Sequence, residues 1–127
     1  MSDATATDAT VRRGPRVLVD ERPWGNFRQY THNESTTVKL ITVAAGQQLS
    51  VQRHAHRDEL WVLLDDGLQV RVGDQEFTAS AGDEVFIPRG AIHTIGGGES
   101  GGRFVEIAFG HFDEDDIERI EDRYGRI

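Results

Sequence analysis

The 127-residue chain has no cysteine, so disulfide staples and thiolate metal sites are closed to it. Lysine is almost missing too: Lys39 stands alone, and arginine carries nearly all of the basic charge. The net charge of −8 disfavours nucleic acid and anionic membrane surfaces as partners. No apolar run approaches the length of a membrane span, and the N-terminus lacks the apolar core of a signal peptide. These absences predict a soluble cytoplasmic protein with no membrane partner, of a size that makes one domain and buries a core without covalent staples.

What is present reads as β-structure. Residues 1–14 are rich in Ala, Thr and Asp without apolar periodicity and are expected to form a disordered tail. From 15 to 112 the chain alternates short β-branched or apolar runs with turn residues. Thr36 to Val43 is a strand ended by Ala45-Gly46, and Leu49 to His54 and Glu59 to Leu64 follow. Leu68 to Val72 and Gln75 to Ala79 make a hairpin around Gly73-Asp74. Glu84 to Ile87 ends at Pro88, and Arg103 to Phe109 is the last strand. Trp24 is expected to plug the core. The glycine-rich run Gly96 to Gly102 is expected to be a flexible loop. In residues 113–127, Ile117, Ile120 and Tyr124 fall at helical spacing, with acids near the start and Arg123 and Arg126 near the end. This predicts a short C-terminal helix packed on the barrel. The fold class is therefore all-β, an antiparallel double-sheet barrel with one terminal helix.

The chemistry gathers in Gln52-Arg53-His54-Ala55-His56-Arg57-Asp58-Glu59-Leu60-Trp61, answered by Pro88-Arg89-Gly90-Ala91-Ile92-His93. In an extended strand His54 and His56 share a face, because side chains alternate with a period of two. Glu59 has the opposite parity and can join them only if the strand is interrupted, for which Arg57-Asp58 is a plausible bend. His93 follows a Pro-x-Gly turn and would enter from a separate strand. His54, His56, Glu59 and His93 would then hold one divalent metal ion and leave positions open. Zinc is favoured, with manganese, iron, cobalt or nickel as alternatives. Lys39 shares its strand face with Ile41 and Val43 and is either a functional cation or a snorkelling stem.

The spacing Gly46, His54, His56, Glu59, then Gly82-x5-Pro88-x-Gly90-x2-His93 resembles the two consensus motifs of the cupin superfamily, which implies a jelly-roll barrel. Three stretches carry a narrower resemblance, over about residues 20–126: Arg22-Pro23-Trp24-Gly25, the Gln52 to Trp61 run, and Glu121-Asp122-Arg123-Tyr124-Gly125-Arg126. They are similar to the cupin domain of type II mannose-6-phosphate isomerases, often found at the C-terminus of a mannose-1-phosphate guanylyltransferase. The glycine-rich nucleotide loop of that guanylyltransferase has no counterpart here.

The resemblance implies a metal-dependent isomerase that interconverts mannose 6-phosphate and fructose 6-phosphate. Its metal would polarise the substrate oxygens. Lys39, which matches a family lysine, and Glu106 would line the cavity as catalytic residues. Arg57, Arg123 and Tyr124, inside the matching motifs, would bind the sugar phosphate. A homodimer is the default by analogy. Leu60, Thr94 and Ala108 depart from the family pattern and favour a second reading, a non-catalytic sugar or sugar-phosphate binding cupin. A third is a metal-dependent oxygenase.

Overall fold

The computed structural model describes residues 16–127; the expected N-terminal tail lies outside the described residues. Eleven strands are present among them: β1 (Leu18–Arg22), β2 (Gly25–Gln29), β3 (Thr36–Val43), β4 (Val51–Arg53), β5 (Glu59–Leu63), β6 (Gln69–Val72), β7 (Gln75–Thr78), β8 (Glu84–Ile87), β9 (His93–Gly96), β10 (Gly102–Phe109) and β11 (Glu118–Glu121). A four-stranded sheet of order β3-β10-β5-β8 faces a five-stranded sheet of order β11-β4-β9-β6-β7, and every pairing is antiparallel. The expected double-sheet barrel is thus the observed fold.

Strand alternation decides what lies between the sheets. Trp61, Leu63, Val70, Val72, Val85, Ile87, Ile95 and Phe104 bury their side chains in one shared core. Trp61 and Phe104 meet at a tilt of 50° with ring centroids 4.9 Å apart. A truncation such as Trp61→Ala would cost about 3–5 kcal/mol through lost burial and the void left behind. On the outer face of the four-stranded sheet, Leu60, Ile107 and Phe109 form a second cluster with Tyr30, Phe86 and Val105. The ribbon of β1 and β2 is tied to the barrel by Arg28 and Tyr30. Both bond the buried carboxylate of Glu84, Arg28 through two donors at 2.6 and 2.7 Å and Tyr30 at 2.7 Å.

Three expectations are corrected. Trp24 is no core plug: it sits in the two-residue turn between β1 and β2 and is 73% exposed, and Trp61 fills the core instead. The glycine-rich run is a packed connection, not a loose one. Gly97 donates to the Gln47 carbonyl, Gly46 donates to Gly98, and a Cβ on Gly97 would stand 2.1 Å from the Ala44 carbonyl oxygen. It lies past the end of β9 that is remote from His93.

The C-terminal helix is the third. Residues 118–121 form β11 on the open edge of β4, with Glu118 opposite Arg53 and Arg119 opposite Gln52. The acids before it fold into a turn in which Asp115 and Asp116 donate their amides to Asp113. An unpaired β4 edge offers backbone hydrogen bonds that an amphipathic pattern of three apolar residues cannot outweigh. Ile120 and Tyr124, the intended apolar stripe, are 38% and 52% exposed.

Candidate metal centre

β4 ends at Arg53, and residues 54–57 leave the strand in a bend. The bend is fixed by Asp116, whose carboxylate accepts the amides of Ala55 at 2.8 Å and His56 at 3.0 Å. The parity argument for His54 and His56 therefore fails, because the chain is no longer extended between them. His54 turns into the barrel and is buried, whereas His56 is exposed. The same bend resolves the parity of Glu59, which enters the interior at the start of β5 and is fully buried. His93, at the start of β9, is buried beside them.

His54, Glu59 and His93 each offer a ligand atom within 4.8 Å of the others. Their surroundings orient them. His54 Nδ1 is 2.7 Å from the Asp116 carbonyl and His93 Nδ1 is 2.9 Å from the Ala91 carbonyl. A carbonyl can only accept, so both Nδ1 atoms donate and the Nε2 of each ring is turned to the interior. His93 Nε2 is buried and has no hydrogen-bond partner among the described residues. Donors around one ion at 2.0–2.2 Å lie roughly 3–4 Å apart, so small side-chain adjustments would close this set on a metal. An orphaned imidazole nitrogen, a second inward imidazole and a buried carboxylate fit a divalent cation.

Charge in the centre is balanced from within. Burial by itself would raise the Glu59 carboxyl, but His54 and Arg57 beside it outweigh that and hold it below the usual carboxylate range. Arg57 Nε donates to Glu59 at 2.8 Å, its Nη1 donates to the Asp113 carbonyl at 3.1 Å, and its guanidinium lies over the Phe112 ring at 4.4 Å. Trp61 Nε1 donates to the other Glu59 oxygen at 3.2 Å. Burial depresses His93, against the pull of its bond to Ala91. Glu106 is pushed up to about 8, by burial first and by neighbouring Glu59 second.

Lys39 and Glu106 are register partners on β3 and β10, so they share the inward face. Lys39 is half exposed at the rim, bound to Glu114 at 3.0 Å and set over Phe112 at 4.4 Å. Arg57 is inside the centre, paired with Glu59. Arg123 and Tyr124 are not brought to it: Arg123 Nη1 donates to the Gly46 carbonyl at 2.8 Å and Tyr124 bonds Gln47. They sit beyond β11, where the sheet turns its outer face, because the expected helix that would have delivered them is absent. Of the three family departures, Leu60 belongs to the outer cluster and Thr94 points opposite to His93, its hydroxyl bound to the Leu49 carbonyl. Ala108 alone faces the interior, opposite Glu59.

Sequence reasoning missed Asp116, Gln52 and Arg119. Gln52 had a signal, since it shares strand parity with His54, and its amide Nε2 lies 3.3 Å from His54 Nε2. Asp116 looked like one more surface acid.

A jelly-roll barrel with two inward histidines and a glutamate from separate strand ends defines a cupin. The chain belongs to the family described as mannose-6-phosphate isomerase C-terminal, whose model matches residues 16–122. It is 37% identical over 111 residues to the mannose-1-phosphate guanylyltransferase ManC of Salmonella typhimurium, covering 84% of this chain and 22% of that protein. The alginate biosynthesis protein AlgA of Pseudomonas aeruginosa is 36% identical over 107 residues, covering 83% and 22%. The chain thus spans about a fifth of the length of these relatives. Among solved structures, the capsular polysaccharide assembling protein CapF of Staphylococcus aureus has a TM-score of 0.61 at 19% identity, covering 84% of this chain and 33% of that one. A putative sugar phosphate isomerase of Acidithiobacillus ferrooxidans has a TM-score of 0.57 at 20% identity, covering 66% and 55%. These two likenesses concern the fold alone. No helix of the described residues is long and apolar enough to cross a membrane.

Proposed function

We propose that this chain is a metal-dependent isomerase module that interconverts mannose 6-phosphate and fructose 6-phosphate. The observation that carries the reading is the buried His54, Glu59 and His93 set with its orphaned His93 Nε2, in a chain of the mannose-6-phosphate isomerase C-terminal family. A divalent metal held there would polarise the carbonyl and hydroxyl oxygens of the sugar and stabilise enediolate-like charge.

The other steps belong to side chains. Moving the carbonyl from C1 to C2 requires a proton to leave C2 for a base and return at C1, while a hydroxyl proton passes from O2 to O1. Glu106 is the candidate base: its carboxyl is buried on the inward face of β10, opposite Lys39 and next to Glu59. Lys39, across the β3–β10 pair, keeps a positive charge at the rim beside it. Arg57 stabilises Glu59 and so acts on the ligand set, not on the phosphate. With Leu60 and Thr94 outside the cavity, Ala108 alone still speaks for the non-catalytic binding reading.

The test is a coupled isomerase assay on metal-replete protein beside His54→Ala and Glu106→Gln. The wild type is expected to turn over, His54→Ala to lose activity with its metal, and Glu106→Gln to lose at least a hundredfold in kcat with metal retained. Absence of turnover in the metal-replete wild type, with mannose 6-phosphate still bound in calorimetry, would sink the isomerase and leave the binding module.

A further inference from the structure

Two buried side-chain polar atoms lack a hydrogen-bond partner among the described residues, His93 Nε2 and Arg119 Nε. Both lie on one cross-strand row. Arg119 of β11 stands opposite Gln52 of β4, Gln52 stands opposite His93 of β9, and His93 stands opposite Val72 of β6. Directly opposed residues share a sheet face. Val72 belongs to the core, so the row faces the interior. Between the two orphans, Gln52 directs its amide to His54 Nε2 at 3.3 Å and accepts a hydrogen bond from Ser50 Oγ.

Arg119 differs from the arginines around it. Arg53 pairs with Glu118 and Arg57 with Glu59, whereas Arg119 has no carboxylate partner among the described residues. A guanidinium with a buried N–H and no acceptor is costly unless an anion from outside supplies one, and its planar fork matches phosphate oxygens. We infer that Arg119 is the phosphate anchor of the interior site, where it binds the anionic end of a sugar phosphate whose sugar oxygens lie toward His54, Glu59 and His93. The row sets the ruler: two strand spacings place Arg119 and His93 backbones roughly 10 Å apart. A hexose 6-phosphate, with its reacting carbons at one end and its phosphate at the other, matches such a row. The inference rests on the sugar-phosphate reading of this site and replaces Arg57 and Arg123, whose donors face Glu59 and Gly46, as the group that holds the phosphate.

Calorimetry on the metal-replete protein in phosphate-free buffer tests this with mannose 6-phosphate, mannose and inorganic phosphate. Wild type is expected to bind mannose 6-phosphate at least tenfold more tightly than mannose. Arg119→Gln is expected to lose at least tenfold in affinity for mannose 6-phosphate and to lose inorganic phosphate, with mannose affinity and metal stoichiometry unchanged. In turnover the same variant raises KM and leaves kcat within a few-fold. A second measurement needs no folded Arg119→Gln: the wild-type Arg119 Nε–H resonance, assigned by its loss in Arg119→Lys, should move with mannose 6-phosphate and stay still with mannose. Unchanged affinity for mannose 6-phosphate in Arg119→Gln, a still resonance, or a wild type that does not distinguish the two sugars overturns the inference. Phosphate-dependent binding lost in Arg119→Gln, in a wild type that never isomerises, would keep the anchor and sink the isomerase. Isomerisation with a KM indifferent to Arg119→Gln would do the reverse.

Discussion

The Asp116 carbonyl accepts a hydrogen bond from His54 Nδ1 at 2.7 Å from 62 positions along the chain, and the carboxylate of the same residue accepts the amides of Ala55 and His56. One residue thus orients the His54 ring and fixes the backbone bend that aims it. Its carboxyl is pressed upward by burial, yet the two amide donors prevail and hold it below the usual range.

Asp116→Ala keeps the carbonyl and removes both amide acceptors, so the bend loosens while the ring keeps its partner. Metal affinity is expected to fall about 10–100-fold, the usual effect of losing an outer partner of a metal ligand. Asp116→Asn, which retains one carbonyl acceptor, should recover most of it. Competition titration against a chromogenic chelator measures both. Equal affinities in wild type and Asp116→Ala would show that the bend stands without the carboxylate.

The exposed position of His56 separates it from the ligand set in a way that elemental analysis can read. His56→Ala is expected to retain one metal per chain, while His54→Ala, Glu59→Gln and His93→Ala lose it. A His56→Ala protein that comes out metal-free would restore the four-ligand set implied by the H-x-H pattern.

Most of the barrel is legible in the sequence because its strands are local: Thr36 to Val43 is β-branched, and its inward parity for Lys39, Ile41 and Val43 holds in the structure. The two-residue turn at Gly73-Asp74 is likewise written in adjacent residues, with Gly73 at φ 58°. The candidate centre is legible only in part. His54, Glu59 and His93 are named by their spacing, but the bend that separates His56 from them is imposed by Asp116, and no local pattern reports a contact across 60 positions. The terminal segment misleads for the same reason. Its i, i+3 apolar spacing mimics a helix, and what makes it a strand is the vacant β4 edge. Arg119 becomes visible as an inward residue only once that pairing is known.

Glu84 ties β8 to the β1–β2 ribbon through Arg28 and Tyr30, and the Tyr30 hydroxyl is pushed up to about 12, by burial first and then by its bond to that carboxylate. Glu84→Ala would leave these donors without their shared acceptor and is expected to cost about 2–4 kcal/mol. Arg28→Ala, whose side chain is 36% exposed, should cost less. Hydrogen exchange offers the sharper readout: amides of residues 18–29 should exchange much faster in Glu84→Ala, while those of β5 and β10 keep their order. Uniform acceleration across the barrel would mean that the ribbon is not a separable unit.

The proton held by Glu106 gives the metal-free protein a stability that depends on pH. Its folded value of about 8 lies above the ordinary 4.5, so between those values the folded chain holds a proton that the unfolded chain releases. Stability from this group is therefore fully present below about pH 4.5 and is lost as pH rises through 8. Glu59 works in the other direction, since a depressed carboxyl stabilises above its unfolded value and loses that contribution as acid is added. The two can be told apart because Glu106→Gln removes only the first slope. With chelator present, Glu106→Gln should be close to the wild type near pH 5 and exceed it near pH 9, by on the order of 4 kcal/mol. Urea melts at the two pH values provide the measurement. A variant whose advantage is the same at both would mean that Glu106 ionises in the folded chain as it does in water, and would remove it as a base tuned by burial.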